Sequence, residues 1–285
     1  MNTYRLGMYE KATPLTLDWK ERLTLTQECG FDWLEISIDE TDDRLSRLWN
    51  HEEALAIRRA QQDTGVRIRT MCLSAHRKYP LGASDPAVRE KSLDILRRAL
   101  EFSQLQGIRI IQLAGYDVYY EPSTEETRAW FLEGLHKICD EAAANGVILG
   151  FETMETPFLD TVGKAMHYVH AVNSPYLQVY PDVGNLTNAA LLTQSSVTED
   201  MELGRGHLAA VHLKETLPGI YRDLSFGEGH VRFPEVVAKA WALGVRQFTG
   251  EFWCGASPRY REEAARSAVF LRACLDAVAH GQAIQ

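Results

Sequence analysis

The sequence lacks the marks of several protein classes. No C-x-x-C pair occurs among its five cysteines, Cys29, Cys72, Cys139, Cys254 and Cys274. They are scattered and odd in number, so neither a disulfide framework nor a structural zinc site is expected. No run approaches the roughly 18 apolar residues of a membrane span, and Met1 to Glu10 has no apolar secretion core. A cytoplasmic location, reducing enough for free thiols, is therefore expected. Positive charge is not in excess: 30 Lys and Arg against 39 Asp and Glu give a formal net charge of −9. A nucleic-acid partner would need a basic face to meet phosphates and is not expected. A small anionic substrate is compatible with the balance, because a few cations can dominate one pocket. No low-complexity segment or Pro/Gly/Ser-rich linker divides the chain. No G-x-G-x-x-G follows the first strand pattern, which weakens a dinucleotide-binding open sheet.

What is present is a repeated local grammar. A helical pattern ends, a glycine follows, and an apolar β-rich run begins. The glycines are Gly30, Gly65, Gly107, Gly146 and Gly244, suited to the left-handed residue that closes a helix. The runs after them are Phe31 to Ile38, Val66 to Leu73, Ile108 to Leu113, Val147 to Phe151 and Val245 to Phe252. Tyr4 to Tyr9, Tyr176 to Tyr180 and Leu208 to Leu213 complete a set of eight. Amphipathic helical patterns lie between, clearest over Pro86 to Gln106, where Leu93, Leu96, Leu100 and Phe102 share a face and Ser84 or Asp85 caps the start. Thr124 to Asn145 opens with Ser123-Thr124-Glu125-Glu126, a capping-box pattern. Eight strands alternating with helices over 285 residues predict one (β/α)8 TIM barrel spanning residues 1–285, with a doubly wound open sheet as the alternative. Leu186 to Thr198 is polar and reads as a loop after the sixth strand.

In such a barrel the site is built at the C-terminal strand ends. The fifth strand ends in Glu152, the sixth leads to Asp182, the seventh carries His212 and the eighth Glu251. One strand-end carboxylate is more often a cap or a surface charge. Three converging in a low-dielectric pocket repel one another, and a divalent cation removes that repulsion. Asp, Glu and His suit zinc, manganese or, less readily, magnesium. His207 precedes the seventh strand and belongs to the opposite end. His167 and His170 lie in a connecting helix and read as surface or packing residues.

Several stretches carry a resemblance to a known family: Leu6 to Ala12, Asp39 to Leu48, Met71 to Arg77, Ile111 to Tyr120, Tyr180 to Leu186, Val211 to Lys214 and Phe226 to Gly229. Together they resemble the bacterial L-ribulose-5-phosphate 3-epimerases, also called L-xylulose-5-phosphate 3-epimerases, of the xylose-isomerase-like barrels. The likeness extends over nearly the whole chain. Departures are Glu155, where the family pattern has Asp, Lys214-Glu215-Thr216 in place of Lys-Asp-Thr, and the segment Thr187 to Glu199.

The resemblance implies proton transfer at C3 of a 2-ketose through an enediolate, with Glu152 and Glu251 trading acid and base roles and Asp182 and His212 as anchors of the metal. It implies a sugar-phosphate substrate and a homodimer. Candidate substrate contacts are Lys11, Ser74, His76, Arg77, Glu155, Asn185, Lys214 and Trp253, with Lys11, His76 and Arg77 favoured for the phosphate. The glycine-rich turn Phe226 to Gly229 is a further phosphate candidate, because such turns aim N–H groups at anions. Tyr9 and Phe226 are candidates for an apolar wall. The rivals are an aldose–ketose isomerase, a 3-epimerase of an unphosphorylated ketose, a metal-dependent phosphodiesterase and a non-catalytic sugar-phosphate sensor.

Overall fold

A computed structural model describes residues 3–281; the ends of the expected 1–285 domain, Met1, Asn2 and residues 282–285, lie outside the described residues. Eight strands are present: β1 (Arg5–Tyr9), β2 (Trp33–Ile38), β3 (Arg67–Leu73), β4 (Ile110–Ala114), β5 (Ile148–Glu152), β6 (Leu177–Val179), β7 (Val211–Leu213) and β8 (Gln247–Gly250). All ladders are parallel, in the order β6-β5-β4-β3-β2-β1-β8-β7. Isolated parallel bridges, Val179 with Leu208 and Asp182 with His212, join β6 to the β7 side and complete the ring. The helices are α1 (Trp19–Glu28), α2 (Asp42–Leu45), α3 (His51–Thr64), α4 (Pro86–Gln106), α5 (Glu125–Asn145), α6 (Val162–Val172), α7 (Val183–Thr193), α8 (Val197–Leu203), α9 (Phe233–Ala242) and α10 (Tyr260–Ala279). Among the described residues no helix is long and apolar enough to cross a membrane.

The helix ends follow from the sequence grammar. All five glycines of the repeat have positive φ, from 63° to 93°, a conformation that costs glycine no Cβ clash. Asp85 caps α4 through a bond to the Ala87 N–H, 2.8 Å. The α5 cap differs from the expected box: Thr124 and Thr127 cap each other reciprocally, and the Ser123 hydroxyl donates instead to Asp117 at 2.7 Å.

Leu186 to Thr198 corrects the loop expectation. It holds most of α7 and the start of α8, joined by Gln194 at φ 52°. Asn and Thr are weak helix formers, which masked the pattern. Capping supplies what propensity lacks: Asp182 accepts from Asn185 N–H at 2.7 Å, and Ser196 from Glu199 N–H at 3.3 Å.

Side-chain alternation sorts the strands into two faces. Leu34, Ile36, Met71, Leu73, Ile111, Leu113, Leu149 and Phe151 belong to the main apolar core with helix residues such as Leu96 and Ile138. The intervening positions, Glu35, Ser37, Thr70, Cys72, Gln112, Glu152, His212 and Thr249, are equally buried. Barrel interiors are ordinarily filled by branched apolar residues. This one places a polar column above a small apolar layer of Ile110, Tyr180 and Ala210.

Candidate metal centre and active site

Four consecutive strands build the centre. Glu152 ends β5, Asp182 follows β6, His212 is mid-β7 and Glu251 follows β8. The Asp182–His212 bridge and the bond from Glu251 N–H to the Leu213 carbonyl, 2.8 Å, lock three of them side by side through the backbone. One ligand atom from each of Glu152, Asp182, His212 and Glu251 lies within 4.8 Å of the others, and all four residues are buried. The set the strand ends point to is therefore brought together.

The cluster is poorly satisfied by the protein itself. Asp182 spends Oδ1 on capping α7, while Oδ2 has no hydrogen-bond partner of good geometry. Lys214 Nζ stands 3.2 Å from that Oδ2 and 3.6 Å from Glu251 Oε2. Among the described residues the Glu152 carboxylate makes no ion pair with a cation. Burial first, then repulsion by Glu251, pushes Glu152 up to about 8. Burial likewise raises Asp182 to about 7, against the pull of Lys214. Glu251 goes the other way: burial opposes its charge, but Lys214 and His212 hold it below the ordinary carboxylate range. Three carboxylates facing one ammonium and one imidazole leave room for positive charge, and Asp182 Oδ2, paired only with Lys214, is an available ligand atom. The donor set, one nitrogen and three oxygens, fits a divalent cation.

Above the cluster opens a cavity of about 490 Å³, lined by Lys11, Ser74, Arg77, Glu155, Asn185, Lys214 and Trp253 together with Tyr9, Cys72, Glu152 and Glu251. Lys11 is held 2.7 Å from Asp39. Arg77 lies 3.8 Å from Glu155, and Tyr116 donates to that same Glu155 at 2.9 Å. Asn185 donates to the Thr153 carbonyl at 2.7 Å, leaving its buried Oδ1 without a partner. Trp253 meets Tyr9 edge-on, with ring centroids 6.2 Å apart.

Two expected contacts are directed elsewhere. His76 does not line the cavity; it is buried against α4, with Nε2 3.3 Å from the Ser92 carbonyl, and burial lowers it to about 4. A neutral ring facing a carbonyl is no phosphate ligand. The glycine-rich turn also directs donors inside the protein: Gly227 N–H goes to Glu215 at 2.8 Å and Glu228 N–H to the Ser225 carbonyl at 3.1 Å. Phe226 packs against Phe233, Phe252 and Phe270 and is not part of the cavity lining.

Sequence reasoning missed two residues. Arg222, on the segment between β7 and α9, lines the cavity with its guanidinium 5.9 Å from the Trp253 ring, and among the described residues it makes no ion pair. Nothing in its local sequence marks it. Glu35, fully buried in β2, has Oε1 2.5 Å from His212 Nε2. Its signal was legible: a glutamate inside the otherwise uncharged run Trp33-Leu34-Glu35-Ile36-Ser37-Ile38, where an unpaired charge is costly.

A family model described as a xylose isomerase-like TIM barrel matches residues 23–274. The chain is 49% identical to L-ribulose-5-phosphate 3-epimerase UlaE of Salmonella heidelberg, over 80% of this chain and 79% of that one. It is 48% identical to the enzyme of the same name from Escherichia coli SMS-3-5, with the same coverage. A solved structure of D-psicose 3-epimerase with D-tagatose from Clostridium cellulolyticum H10 superposes with a TM-score of 0.77 at 16% identity, over 95% of this chain and 99% of that one. That last likeness speaks for the fold alone.

Proposed function

We propose that this chain, which belongs to the xylose isomerase-like TIM barrel family and within it to the L-ribulose-5-phosphate 3-epimerases, is a metal-dependent enzyme that interconverts L-ribulose 5-phosphate and L-xylulose 5-phosphate. The observation that carries the reading is the arrangement of Glu152 and Glu251: two buried carboxylates from β5 and β8, both open to one cavity, in a cluster with Asp182 and His212. Epimerisation at C3 requires one group to take the proton and another to return one to the opposite face. Two carboxylates in unlike surroundings suit that exchange. Lys214 and His212 favour the anion at Glu251, so it is the base in one direction. Glu152, pushed toward its protonated form, is the corresponding acid, and the roles reverse with the reaction.

A divalent cation held by Glu152, Asp182, His212 and Glu251 would supply charge stabilisation for the oxyanion character at C2 and C3. The set suits manganese or zinc better than magnesium, because of its imidazole. Asn185 Oδ1 is a free acceptor for a sugar hydroxyl. Lys214 offers an ammonium beside the developing negative charge. At the wider end, Arg77, Lys11 and Arg222 are the cations for the 5-phosphate, with Ser74 as a neutral donor. Trp253 and Tyr9 wall the carbon chain and keep water from its face.

Proton NMR of L-ribulose 5-phosphate in deuterated water, with catalytic manganese removed by chelator before detection, tests the reading. The expected result is loss of the C3 proton signal and appearance of the second epimer, deuterated at C3. Deuterium entering at C1 would replace the reading with aldose–ketose isomerisation. Turnover of the free ketose at equal kcat/KM would remove the phosphate from the proposal, and absence of exchange at any carbon would leave a sensor.

A further inference from the structure

We propose that Glu35 is the positioning residue of the metal centre: it holds the His212 imidazole so that Nδ1, and not Nε2, is the nitrogen offered to the cation. The inference rests on the metal reading above. His212 lies between two sets of carboxylates. Its Nδ1 stands 2.9 Å from Glu251 Oε2 and 3.8 Å from Asp182 Oδ2, on the side of the ligand cluster. Its Nε2 stands 2.5 Å from Glu35 Oε1, on the other side. Glu35 belongs to β2, across the barrel interior from β7, and is fully buried.

Glu35 is itself held rigidly. Its Oε2 accepts from the Thr70 hydroxyl on β3 and from the Tyr180 hydroxyl at 3.0 Å, and the Tyr180 oxygen lies 2.5 Å from Thr249 Oγ1 on β8. The Tyr180 ring also packs edge-on against the imidazole, centroids 4.9 Å apart. Among the described residues no lysine or arginine pairs with Glu35. A buried carboxylate with no cationic side chain beyond a histidine is an expensive thing to keep. Its value lies in the acceptor it provides. Glu251 also faces the ring, at Nδ1, but as a proposed ligand it turns to the cation. Glu35 stays at Nε2 and keeps the proton there, which leaves the Nδ1 lone pair for the metal and makes the ring a stronger donor. It also blocks Nε2 from ligation. Glu35 touches neither the cavity nor the ligand atoms, so it acts through His212.

Two measurements test this. First, heteronuclear NMR of histidine-labelled protein loaded with a spin-active cadmium isotope identifies the coordinating nitrogen. Coupling to His212 Nδ1, with Nε2 protonated, is expected, and coupling to Nε2 would overturn the proposal. Second, manganese affinity is measured by chelator competition. Glu35→Gln, which keeps the shape but loses the charge, should weaken binding about 10-fold, and Glu35→Ala toward 100-fold. Tyr180→Phe, which removes one bond to Glu35 but leaves the Glu35–His212 contact, should lower thermal stability with little change in affinity. Wild-type affinity in Glu35→Gln, or parallel losses in Tyr180→Phe and Glu35→Gln, would reduce Glu35 to a structural residue. A wild-type protein that binds neither manganese nor cadmium would instead overturn the metal reading from which the inference starts.

Discussion

Two buried acidic clusters sit at the same end of the barrel, and they are built on opposite principles. Glu10, just beyond β1, is fully buried, yet every demand it makes is met. Arg22 donates to Oε1 at 2.9 Å, Arg47 reaches both oxygens at 2.8 Å, and Ser37 N–H donates to Oε2 at 2.8 Å. Both carboxylate oxygens are paired with cations and donors of the chain itself. The buried atoms left without a hydrogen bond beside them, Arg44 Nε and Arg47 Nε, are donors and not acceptors, so no demand for a cation remains. The cluster of Glu152, Asp182, His212 and Glu251 has one buried ammonium shared among three carboxylates, an Asp182 Oδ2 with that ammonium but no well-formed hydrogen bond and, among the described residues, a Glu152 in no ion pair. Burial of acid is common to both. What marks the second as a site is the unmet demand, because native proteins seldom leave buried polar atoms unpaired.

The contrast is broken most sharply by removing a charge from each cluster in turn. Glu152→Gln and Glu251→Gln should each slow C3 hydrogen exchange by about 10²- to 10⁴-fold. Glu152→Gln, which takes no counter-charge from an ion pair, should leave thermal unfolding of the metal-free protein close to that of the metal-free parent, whereas Glu251→Gln weakens the pairing of His212 and Lys214 and should lower it. Full exchange in both variants would remove them from the chemistry. Glu10→Gln should do the reverse. It takes the Glu10 counter-charge from buried Arg22 and leaves Arg47 with Glu53 alone, 3.3 Å away, and should cost about 3–5 kcal/mol of stability, read by denaturant unfolding. Its manganese affinity should stay at the parent value. A Glu10 variant that lost metal binding at unchanged stability would show that the two clusters are one system.

Metal removal sharpens the same point by a smaller amount. A cation that binds the native state alone at about 100 times its Kd adds about 2.7 kcal/mol. Chelator should therefore lower the Tm of the parent and of Glu10→Gln equally, and leave the Tm of Asp182→Asn almost unmoved. A chelator effect that persisted in Asp182→Asn would place the cation elsewhere.

How far this was legible in the sequence follows from the same contrast. The strands announce themselves through apolar runs, five of them set off by helix-closing glycines and three without one, and all eight strands fall within or next to those runs. Glu152, Asp182, His212 and Glu251 stand out because their strands are consecutive and all four fall at or near the C-terminal end of their strand. Polar residues inside regular structure were harder. In the α7 and α8 segment asparagines and threonines give the sequence a loop-like character and disguise helices that Asp182 and Ser196 initiate. Glu35 is isolated by its own strand, but its partners Thr70, Tyr180 and His212 come from β3, from the residue after β6 and from β7, and only the closed ring brings them near. Arg222 has no local signature at all, because its place depends on the path of a long loop.

His76 is the sequence expectation the structure turns around most clearly, and it yields the smallest of the expected effects. It follows Ala75 in the run after β3, two residues from cavity-lining Ser74, and a one-residue turn decides which side it faces. Arg77 points into the cavity and His76 into the helix layer. Burial lowers the folded-state value to about 4, from roughly 6.5 in an unfolded chain. The unfolded state then takes up the proton first as pH falls. The stabilising contribution is present above about pH 6.5 and drains away toward pH 4, with about 1 kcal/mol gone between pH 7 and pH 5.5. Unfolding curves of the parent should show that decline over and above the decline in His76→Gln, whose neutral amide can still donate to the Ser92 carbonyl. If the two proteins lose stability in parallel between pH 7 and pH 5.5, the ring is not held neutral by burial, and His76 returns to the candidates for the phosphate.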